Sequence, residues 1–274
     1  MSKVTDQQYL KTDQYRDSSN LDARALIHQR FSTNPYGWFK WVFDTLLRLP
    51  GNARILELGC GNALLWKENA NGIPGGWNIT LSDLSSGMLD AAWRHLVVTG
   101  RAFQFKEIDA QAIPYEAETF DAVIADHMLY HVPDRPKAIA EIQRVLKPGG
   151  RLIATTVGAN HMQEMMDWYQ QVHVSKTWES FANPFLLENG MEQLTPFFSE
   201  VKLSRYEDNL HVTEVEPIMA YIRSGIRVTE LSEKELAHLQ QDLEKELQEK
   251  GRIFISKDSG LFEAVKQYST QVVE

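Results

Sequence analysis

The chain has 274 residues, of which 43% are hydrophobic and 24% are charged. This composition excludes a disordered or fibrous protein, and the length suits one large domain or two small ones. The net charge of −9 argues against a general nucleic-acid binder and against attraction to anionic lipid. The single cysteine, Cys60, excludes an intrachain disulfide and fits a reducing compartment. The polar N-terminus and the lack of an uncharged apolar run of about 18 residues predict a cytoplasmic protein without signal peptide or membrane span.

Residues 1–50 are predicted to form a helical N-terminal cap. Asn20 or a neighbouring serine can begin a helix that ends near Phe31. Asn34 followed by Pro35 is typical of an N-cap and a first helical position, and the apolar residues that follow recur at helical spacing.

Residues 51–157 alternate between apolar runs and amphipathic segments. Such runs suit strands that are buried on both faces of a parallel sheet. Asp134 is predicted to cap the helix before the last strand, and the Pro-Gly-Gly turn at 148–150 ends that helix. The alternation indicates an α/β fold with a doubly wound, Rossmann-like sheet. The predicted strands are Arg54–Leu58, Trp77–Leu81, Ala102–Ile108, Phe120–Ala125 and Arg151–Val157.

Residues 158–274 mix helical and strand patterns and are too long to be connections alone. Predicted helices begin at Asn160, at Asn183-Pro184 and at the capping box of Ser232 and Glu235. We therefore expect an insertion that forms a lid, together with C-terminal strands that complete the sheet. These predicted strands are Val201–Tyr206 and Leu261–Val265.

The segment ILELGCGN at 55–62 joins a buried strand to a glycine turn that opens a helix. Glycines allow close approach of a ligand, and the helix N-terminus presents free N–H groups. Asp83 ends the second strand 22 residues after Gly61, where a carboxylate can accept hydrogen bonds from both ribose hydroxyls. Leu64 stands where a dinucleotide-binding fingerprint has its third glycine, so a nucleoside without pyrophosphate is favoured.

Two further carboxylates follow the next strands. Asp109 follows the third, where it can accept from an adenine amino group, and Asp126 ends the fourth. With these motifs the chain resembles the class I S-adenosylmethionine-dependent methyltransferases, in particular the small-molecule branch similar to ubiquinone- and menaquinone-biosynthesis C-methyltransferases. The resemblance covers about residues 50–157. It rests on ILELGCGN, SDLSSGML, DAQAIPYEAETFDAVIADHMLYHVPD and RVLKPGGRLIATT, which occur in this order.

The resemblance implies a seven-stranded sheet, S-adenosylmethionine (SAM) as cofactor, S-adenosylhomocysteine (SAH) as product and a small-molecule acceptor, without a metal. Ala63 departs from the family pattern because motif I usually has a third glycine there, and Asp126 is often Asn in relatives. The implied cofactor contacts are Glu57, Gly59, Cys60 and Gly61 for the methionine part, Asp83 and Leu84 for the ribose, Met88, Asp109 and Ala110 for the adenine, Asp126 and His127 beside the sulfonium, and Tyr15 for the methionine carboxylate.

Three histidines are candidates for a general base, because an unperturbed imidazole titrates near neutral pH. His127 and His131 are four residues apart and could share a helical face, but the sequence offers no third ligand for a metal. His28 is a further candidate if the N-terminal helix closes over the site. Cys60 is interpreted as a small residue beside the cofactor, since no base accompanies it.

Large aromatic residues concentrate outside the predicted sheet, which suggests either caps around an apolar or planar acceptor or simple packing on the sheet.

The alternatives to a small-molecule methyltransferase are a SAM-binding protein without transfer activity, a nucleic-acid methyltransferase and an NAD-dependent oxidoreductase. The Asn/Asp-Pro-Pro-Tyr/Phe motif of amino-methylating enzymes is absent after the fourth strand, where Asp126-His127-Met128-Leu129 stands. We expect a monomer or a homodimer.

Overall fold

A computed structural model describes residues 3–172, 185–226 and 231–268. Its main feature is a sheet that has seven strands within these residues, in the order β3-β2-β1-β4-β5-β9-β6. Strands β1 to β5 run parallel, and β9 is antiparallel to both β5 and β6. The sheet confirms the predicted seven-stranded, Rossmann-like fold. The strands are β1 (Arg54–Leu58), β2 (Asn78–Asp83), β3 (Gln104–Glu107), β4 (Phe120–Asp126), β5 (Leu146–Val157), β6 (Glu200–Tyr206), β7 (Asn209–Val212), β8 (Ile253–Ser256) and β9 (Ser259–Val265).

Helices cover both faces of the sheet because successive side chains of its strands point to opposite sides. Leu56 and Val123 pack with Ile142 in one core layer, whereas Ile55 and Ile124 belong to the layer on the other side. The helices are α1 (Gln7–Tyr9), α2 (Ser19–Phe31), α3 (Trp38–Leu46), α4 (Leu64–Glu68), α5 (Ser86–Leu96), α6 (Arg135–Val145), α7 (Gln163–Val172), α8 (Gly190–Leu194), α9 (Val215–Arg223) and α10 (Glu233–Lys250).

A third hydrophobic cluster joins distant parts of the chain beside the sheet. It brings Ile27 of α2 together with Trp168 of α7, Ile218 of α9 and Leu239 of α10. The antiparallel pair β7–β8, which the sequence analysis missed, belongs to the same unit. The Ser232 capping box of α10 is confirmed, since Ser232 Oγ accepts from Glu235 N at 3.3 Å and Ser232 N donates to Glu235 Oε2 at 2.7 Å.

Two predicted helix starts are wrong. Helix α3 begins after Gly37, and Asn34 instead accepts from Tyr36 N at 3.0 Å in the preceding turn. Asn34 is held there because its backbone N–H donates to Asp208, 174 residues away. Helix α7 begins at Gln163, after Met162 with φ 56°, and not at Asn160.

The turn predicted at 148–150 is wrong, because α6 ends at Val145 and β5 begins at Leu146 and includes these residues. Other predicted boundaries shift by only a few residues. The second strand starts at Asn78 and extends to Asp83, and the third shortens to Gln104–Glu107. The helix start predicted at Asn183-Pro184 lies outside the described residues. Among the residues that are described, no helix is long and apolar enough to cross a membrane.

Candidate functional site

A cavity of about 620 Å³ lies at the carboxyl ends of β1, β2 and β4, the edge where open α/β sheets bind ligands. Residues 7–39 and side chains from α9 and the β8–β9 turn contribute to its wall. Each cofactor contact that the resemblance implied is among the residues lining this cavity. They are Tyr15, Glu57, Gly59, Cys60, Gly61, Asp83, Leu84, Met88, Asp109, Ala110, Asp126 and His127.

The glycine turn follows β1 directly and needs left-handed backbone at two glycines. Gly59 has φ 65° and Gly61 has φ 55°. A Cβ at Gly59 would lie 2.7 Å from Met128 Cβ, so the loop after β4 leaves no room for a side chain there. Ala63, where relatives usually have a third glycine, adopts φ 59°, which is a strained conformation for an L-residue.

Glu57 is a buried carboxyl group below this turn, with only 2% of its surface exposed. The indole N–H of Trp66 donates to its Oε2. Burial, together with the nearby charge of Asp126, raises the pKa of Glu57 to about 8. The group is therefore mostly protonated at neutral pH when no cation is bound beside it.

The Asp83 carboxylate, at the end of β2, lies beside the glycine turn and binds its backbone. It accepts from Gly61 N at 3.0 Å and from Ser85 N at 2.9 Å, one bond on each oxygen. Burial raises the pKa of Asp83, although these N–H bonds favour the ionised form. Each oxygen keeps a lone pair for a further donor, since a carboxylate offers about four acceptor sites.

Asp109 lies after β3, where the adenine was expected, but its carboxylate already has partners. Gln111 donates to both oxygens at 3.0 and 3.1 Å, and Gln7 donates to Oδ2 at 3.1 Å. Burial raises the pKa of Asp109, but these hydrogen bonds outweigh it and the net shift is downward. Gln7 belongs to α1, so the N-terminal segment, residues 3–15, covers this end of the cavity.

The end of β4 presents Asp126 and His127. Thr155 Oγ1 donates to Asp126 and accepts from His127 N at 3.0 Å. The ring centroids of His127 and Trp38 are 5.2 Å apart. Burial lowers the pKa of His127, and Lys257 lowers it further, whereas Asp126 opposes the shift.

His127 and His131 do not share a helical face, so that expectation is wrong. His127 has φ 52° at the end of β4, which breaks the regular backbone, and His131 lies in a short 3₁₀ turn, Leu129–His131. His131 Nδ1 lies 2.8 Å from Val4 O, and Nε2 lies 2.9 Å from the Tyr15 hydroxyl. A carbonyl only accepts, so Nδ1 carries the proton and Nε2 accepts from Tyr15. Burial lowers the pKa of His131 to about 4.

Several cavity residues were not singled out from the sequence, because no local motif marks them. Arg24 lies on α2 one turn before His28, the candidate base predicted from the sequence, which also lines the cavity; His161, Tyr221 and Lys257 come from the C-terminal half. The rings of His28 and His161 are 6.4 Å apart. Burial lowers the pKa of His28 well below its ordinary value, so its imidazole is neutral.

Two other interpretations of the sequence can be compared with this geometry. Burial raises the pKa of the Cys60 thiol well above its ordinary value, which disfavours a nucleophilic thiolate. Of the aromatic residues, Trp38 and Phe39 line the cavity, whereas Phe43 packs against Trp66 and Trp77 in the core. Among described residues, no group of three or more His, Cys, Asp or Glu side chains could hold a metal ion.

Residues 56–154 match a family model described as a methyltransferase domain. The ubiquinone biosynthesis O-methyltransferase of Dechloromonas aromatica is 35% identical over 121 residues, which are 44% of this chain and 50% of that protein. The chain thus spans about half the length of this curated relative.

Two solved structures have a similar fold. The cyclase SpnF has a TM-score of 0.61 at 20% identity, and the match covers 96% of this chain and 97% of that one. The second is phosphoethanolamine N-methyltransferase 2 of Haemonchus contortus, solved with phosphomonomethylethanolamine and SAH. Its TM-score is 0.59 at 21% identity, and the match covers 97% of this chain and 61% of that one.

Proposed function

We propose that this chain, which carries a class I SAM-dependent methyltransferase domain, transfers a methyl group from SAM to a small-molecule acceptor. The position of Asp83 carries the proposal. Its carboxylate lies beside the glycine turn, and each oxygen has one backbone N–H partner and one remaining lone pair. Such a group suits the two hydroxyls of a ribose.

The residues around Asp83 fit the rest of the cofactor. Glu57, Gly59, Cys60 and Gly61 would border the methionine part, and Tyr15 would reach its carboxylate. Leu84, Met88 and Ala110 give apolar surface for the ribose and adenine, with Asp109 at the adenine edge. Asp126 and His127 would lie beside the sulfonium. When bound, SAM supplies an electrophilic methyl group, and the protein contributes orientation worth up to about 7–11 kcal/mol.

The acceptor side of the cavity is assigned to the N-terminal cap, residues 1–50, and to residues 158–274. Tyr15 and His131 form the hydrogen-bonded pair best placed to handle a proton of the acceptor, since the neutral His131 ring leaves Nε2 unprotonated and accepting from the Tyr15 hydroxyl. His127 is the second candidate base. The presence of Tyr221 and Lys257 in the cavity wall supports the role of the C-terminal half as a lid over the core of residues 51–157.

The remaining properties follow from composition. The net charge of −9 disfavours a nucleic-acid substrate, so the acceptor and SAM are the expected small-molecule ligands. One buried thiol fits a cytoplasmic enzyme. We expect a monomer or a homodimer.

A SAM-binding protein without methyl transfer is the second candidate. The observation in its favour is the [4+2]-cyclase SpnF, which has a similar fold, with a TM-score of 0.61, and is named for a different reaction. Fold alone therefore does not decide between transfer and another reaction.

The test combines binding and turnover by the full chain. Calorimetry with SAM should give saturable binding, and methyl-labelled SAM should transfer label to a member of a panel of phenols, carboxylic acids and amines. Binding without transfer, across the panel, would favour the second candidate. If SAM does not bind, both assignments are wrong.

A further inference from the structure

His28 lines the cavity through an imidazole whose Nδ1 atom is buried. Within the described part of the chain, this atom has no hydrogen-bond partner. Burial lowers the pKa of His28 well below its ordinary value, so the ring is neutral and carries one proton. Buried N–H groups without an acceptor are rarer in proteins than unpaired acceptor atoms. The proton is therefore assigned to Nε2, the nitrogen that is left to meet a group in the cavity.

His161 presents a second N–H donor next to this ring, with 6.4 Å between the two ring centroids. A backbone N–H only donates, so His161 Nδ1 accepts from Asp258 N at 3.1 Å. Ser259 Oγ lies 3.3 Å from the same atom. Burial lowers the pKa of His161 to about 3, so the ring is neutral and its proton is on Nε2. Two neutral imidazoles thus offer two N–H donors to the same part of the cavity.

The strand order places His161 away from the residues assigned to SAM. The glycine turn follows β1 and Asp83 ends β2, whereas His161 follows β5 and Ser259 begins β9. In the sheet, β4 and β5 lie between β1 and β9. Neighbouring strands are spaced by about 4.8 Å, so β9 lies about 14 Å from β1. His161 therefore belongs to the side of the cavity beyond Asp126, which ends β4.

Helix α2 connects the two sides, and His28 lies near its far end. Leu21, in the first turn, packs against the glycine turn, since its Cδ2 lies 2.8 Å from the position of a Cβ at Gly61. His28 follows Leu21 by two helical turns, about 10 Å along the helix axis. Its ring meets that of Tyr221 edge-on, with centroids 6.0 Å apart, and Ser32, just after the helix, pairs with β7. His28 thus contacts the C-terminal half, whereas Leu21 contacts the cofactor turn.

We propose that His28 and His161 bind a carbonyl oxygen of the methyl acceptor through their two Nε2–H groups. The inference rests on the proposed function, because it takes SAM to occupy the side of Asp83. A carbonyl oxygen has two lone pairs and no proton, so it can accept from both donors at once. In this tautomer the cavity-facing nitrogen of His28 is protonated, so His28 binds the acceptor and is not its general base.

The charges around the two rings favour a neutral carbonyl group over an amine. After burial, the charge of Lys257 contributes to lowering the pKa of both His28 and His161, which indicates a positive potential in this part of the cavity. A protonated amine would be repelled there. The Lys257 ammonium already pairs with the buried carboxylate of Asp208, so no anionic ligand is needed to compensate its charge.

The experiment compares two probes that differ only at the proposed position. Acetophenone carries a carbonyl oxygen, and α-methylstyrene has the same shape with a methylene group in its place. Both are aromatic because Trp38 and Phe39 line the cavity. They are titrated into the full chain with ¹⁵N-labelled histidine, with and without saturating SAH, and followed by NMR of the ring nitrogens. We expect Nε2–H tautomers for both rings and about tenfold tighter binding of acetophenone, the effect of two net hydrogen bonds.

Variants separate the two nitrogens of each ring. His161→Asn keeps an amide oxygen where Nδ1 accepts from Asp258 N but has no group at Nε2, so the preference for acetophenone should fall at least about threefold. His161→Gln places an amide N–H near the position of Nε2 and should keep part of the preference. His28→Phe keeps a ring against Tyr221 without the donor and should act like His161→Asn. His211→Phe, on β7 and outside the cavity lining, is the matched control and should keep the preference.

Equal binding of the two probes, or no binding of acetophenone, would overturn the inference. An Nδ1–H tautomer in either ring would do the same, as would an unchanged preference in His161→Asn and His28→Phe variants that circular dichroism shows to be folded. If a variant does not fold, the tautomers and the probe preference of the wild-type chain decide. A chain that does not bind SAH would instead refute the proposed function, while the titrations without SAH still test the carbonyl site.

Discussion

The Tyr15 hydroxyl lies 2.9 Å from His131 Nε2, although 116 residues separate the two in the chain. The second ring nitrogen of His131 is held by Val4 O at 2.8 Å. Both partners belong to the N-terminal segment, so this histidine ties the segment to the loop after β4. The same bonds fix the imidazole tautomer and leave Nε2 unprotonated. The same two hydrogen bonds therefore hold the N-terminal segment over the cavity and orient the candidate base.

His131→Ala should lower kcat about 100-fold if His131 is the base, which is within the usual range for general-base catalysis. The affinity for SAM should change little, because no cofactor contact is assigned to this ring. Tyr15→Phe should give a similar loss, and the double variant should be little worse than either single one. His238→Ala, an exposed histidine on α10, serves as control. Normal turnover in His131→Ala would remove it as a candidate.

The pH dependence of His131 should differ from that of an ordinary histidine. Because burial lowers its folded pKa to about 4, the ring stays neutral through pH 6.5. Between pH 6.5 and 4 the unfolded chain binds a proton that the folded chain does not, so acidification lowers stability by up to about 3 kcal/mol from this group. Histidine NMR titration and denaturant unfolding at several pH values measure both effects. A His131 midpoint near 6.5 would contradict the described burial.

Asp83→Ala should weaken SAM binding by about 1–3 kcal/mol, because polar groups of the ligand lose a buried partner. The change also removes two backbone N–H acceptor bonds at the glycine turn. Thermal melting therefore accompanies the calorimetry, so that lost affinity is not confused with unfolding. Asp90→Asn, at an exposed position of the adjacent helix, is the control. Unchanged SAM affinity in a folded Asp83→Ala protein would refute the ribose assignment.

Glu57 should release a proton when SAM binds at pH 7. Its pKa of about 8 in the free protein means that it is mostly neutral, and a cationic ligand nearby lowers that pKa. Calorimetry in two buffers of different ionisation enthalpy counts the released proton. SAH, which lacks the sulfonium charge, should release less, and Glu57→Gln should release none from this site. An equal proton count for wild type and Glu57→Gln would assign the release to another group.

Gly87→Ala should displace the N-terminal segment from the cavity. A Cβ at this position would lie 1.8 Å from Arg16 O, and Ser85 Oγ beside it donates to Tyr15 O at 2.7 Å. We expect kcat/KM to fall at least about tenfold, the size of effect that 1–3 kcal/mol of overpacking produces. Limited proteolysis should cut residues 3–16 faster. Gly75→Ala, whose Cβ would meet nothing within 4 Å, should match wild type in both measurements.

The core of the fold and the cofactor edge of the sheet could be predicted from local sequence patterns. Apolar runs predicted the central strands because burial on both faces leaves a continuous hydrophobic pattern. Asp134 and Ser232 predicted helix starts correctly, since a cap bonds to N–H groups only a few residues away. The glycine turn and Asp83 could also be predicted, because the turn directly follows β1 and Asp83 ends β2.

The acceptor side depends on contacts between distant parts of the chain. The bond between Tyr15 and His131 and the pairing of β7 with β8 both join segments that are distant in sequence. Asn34 has the sequence of an N-cap, but the remote carboxylate of Asp208 holds its backbone in a turn. Local patterns encode contacts made within a helical turn or along a strand. Contacts across more than a hundred residues, and the desolvation that shifts pKa values in the cavity, exist only once the chain has packed.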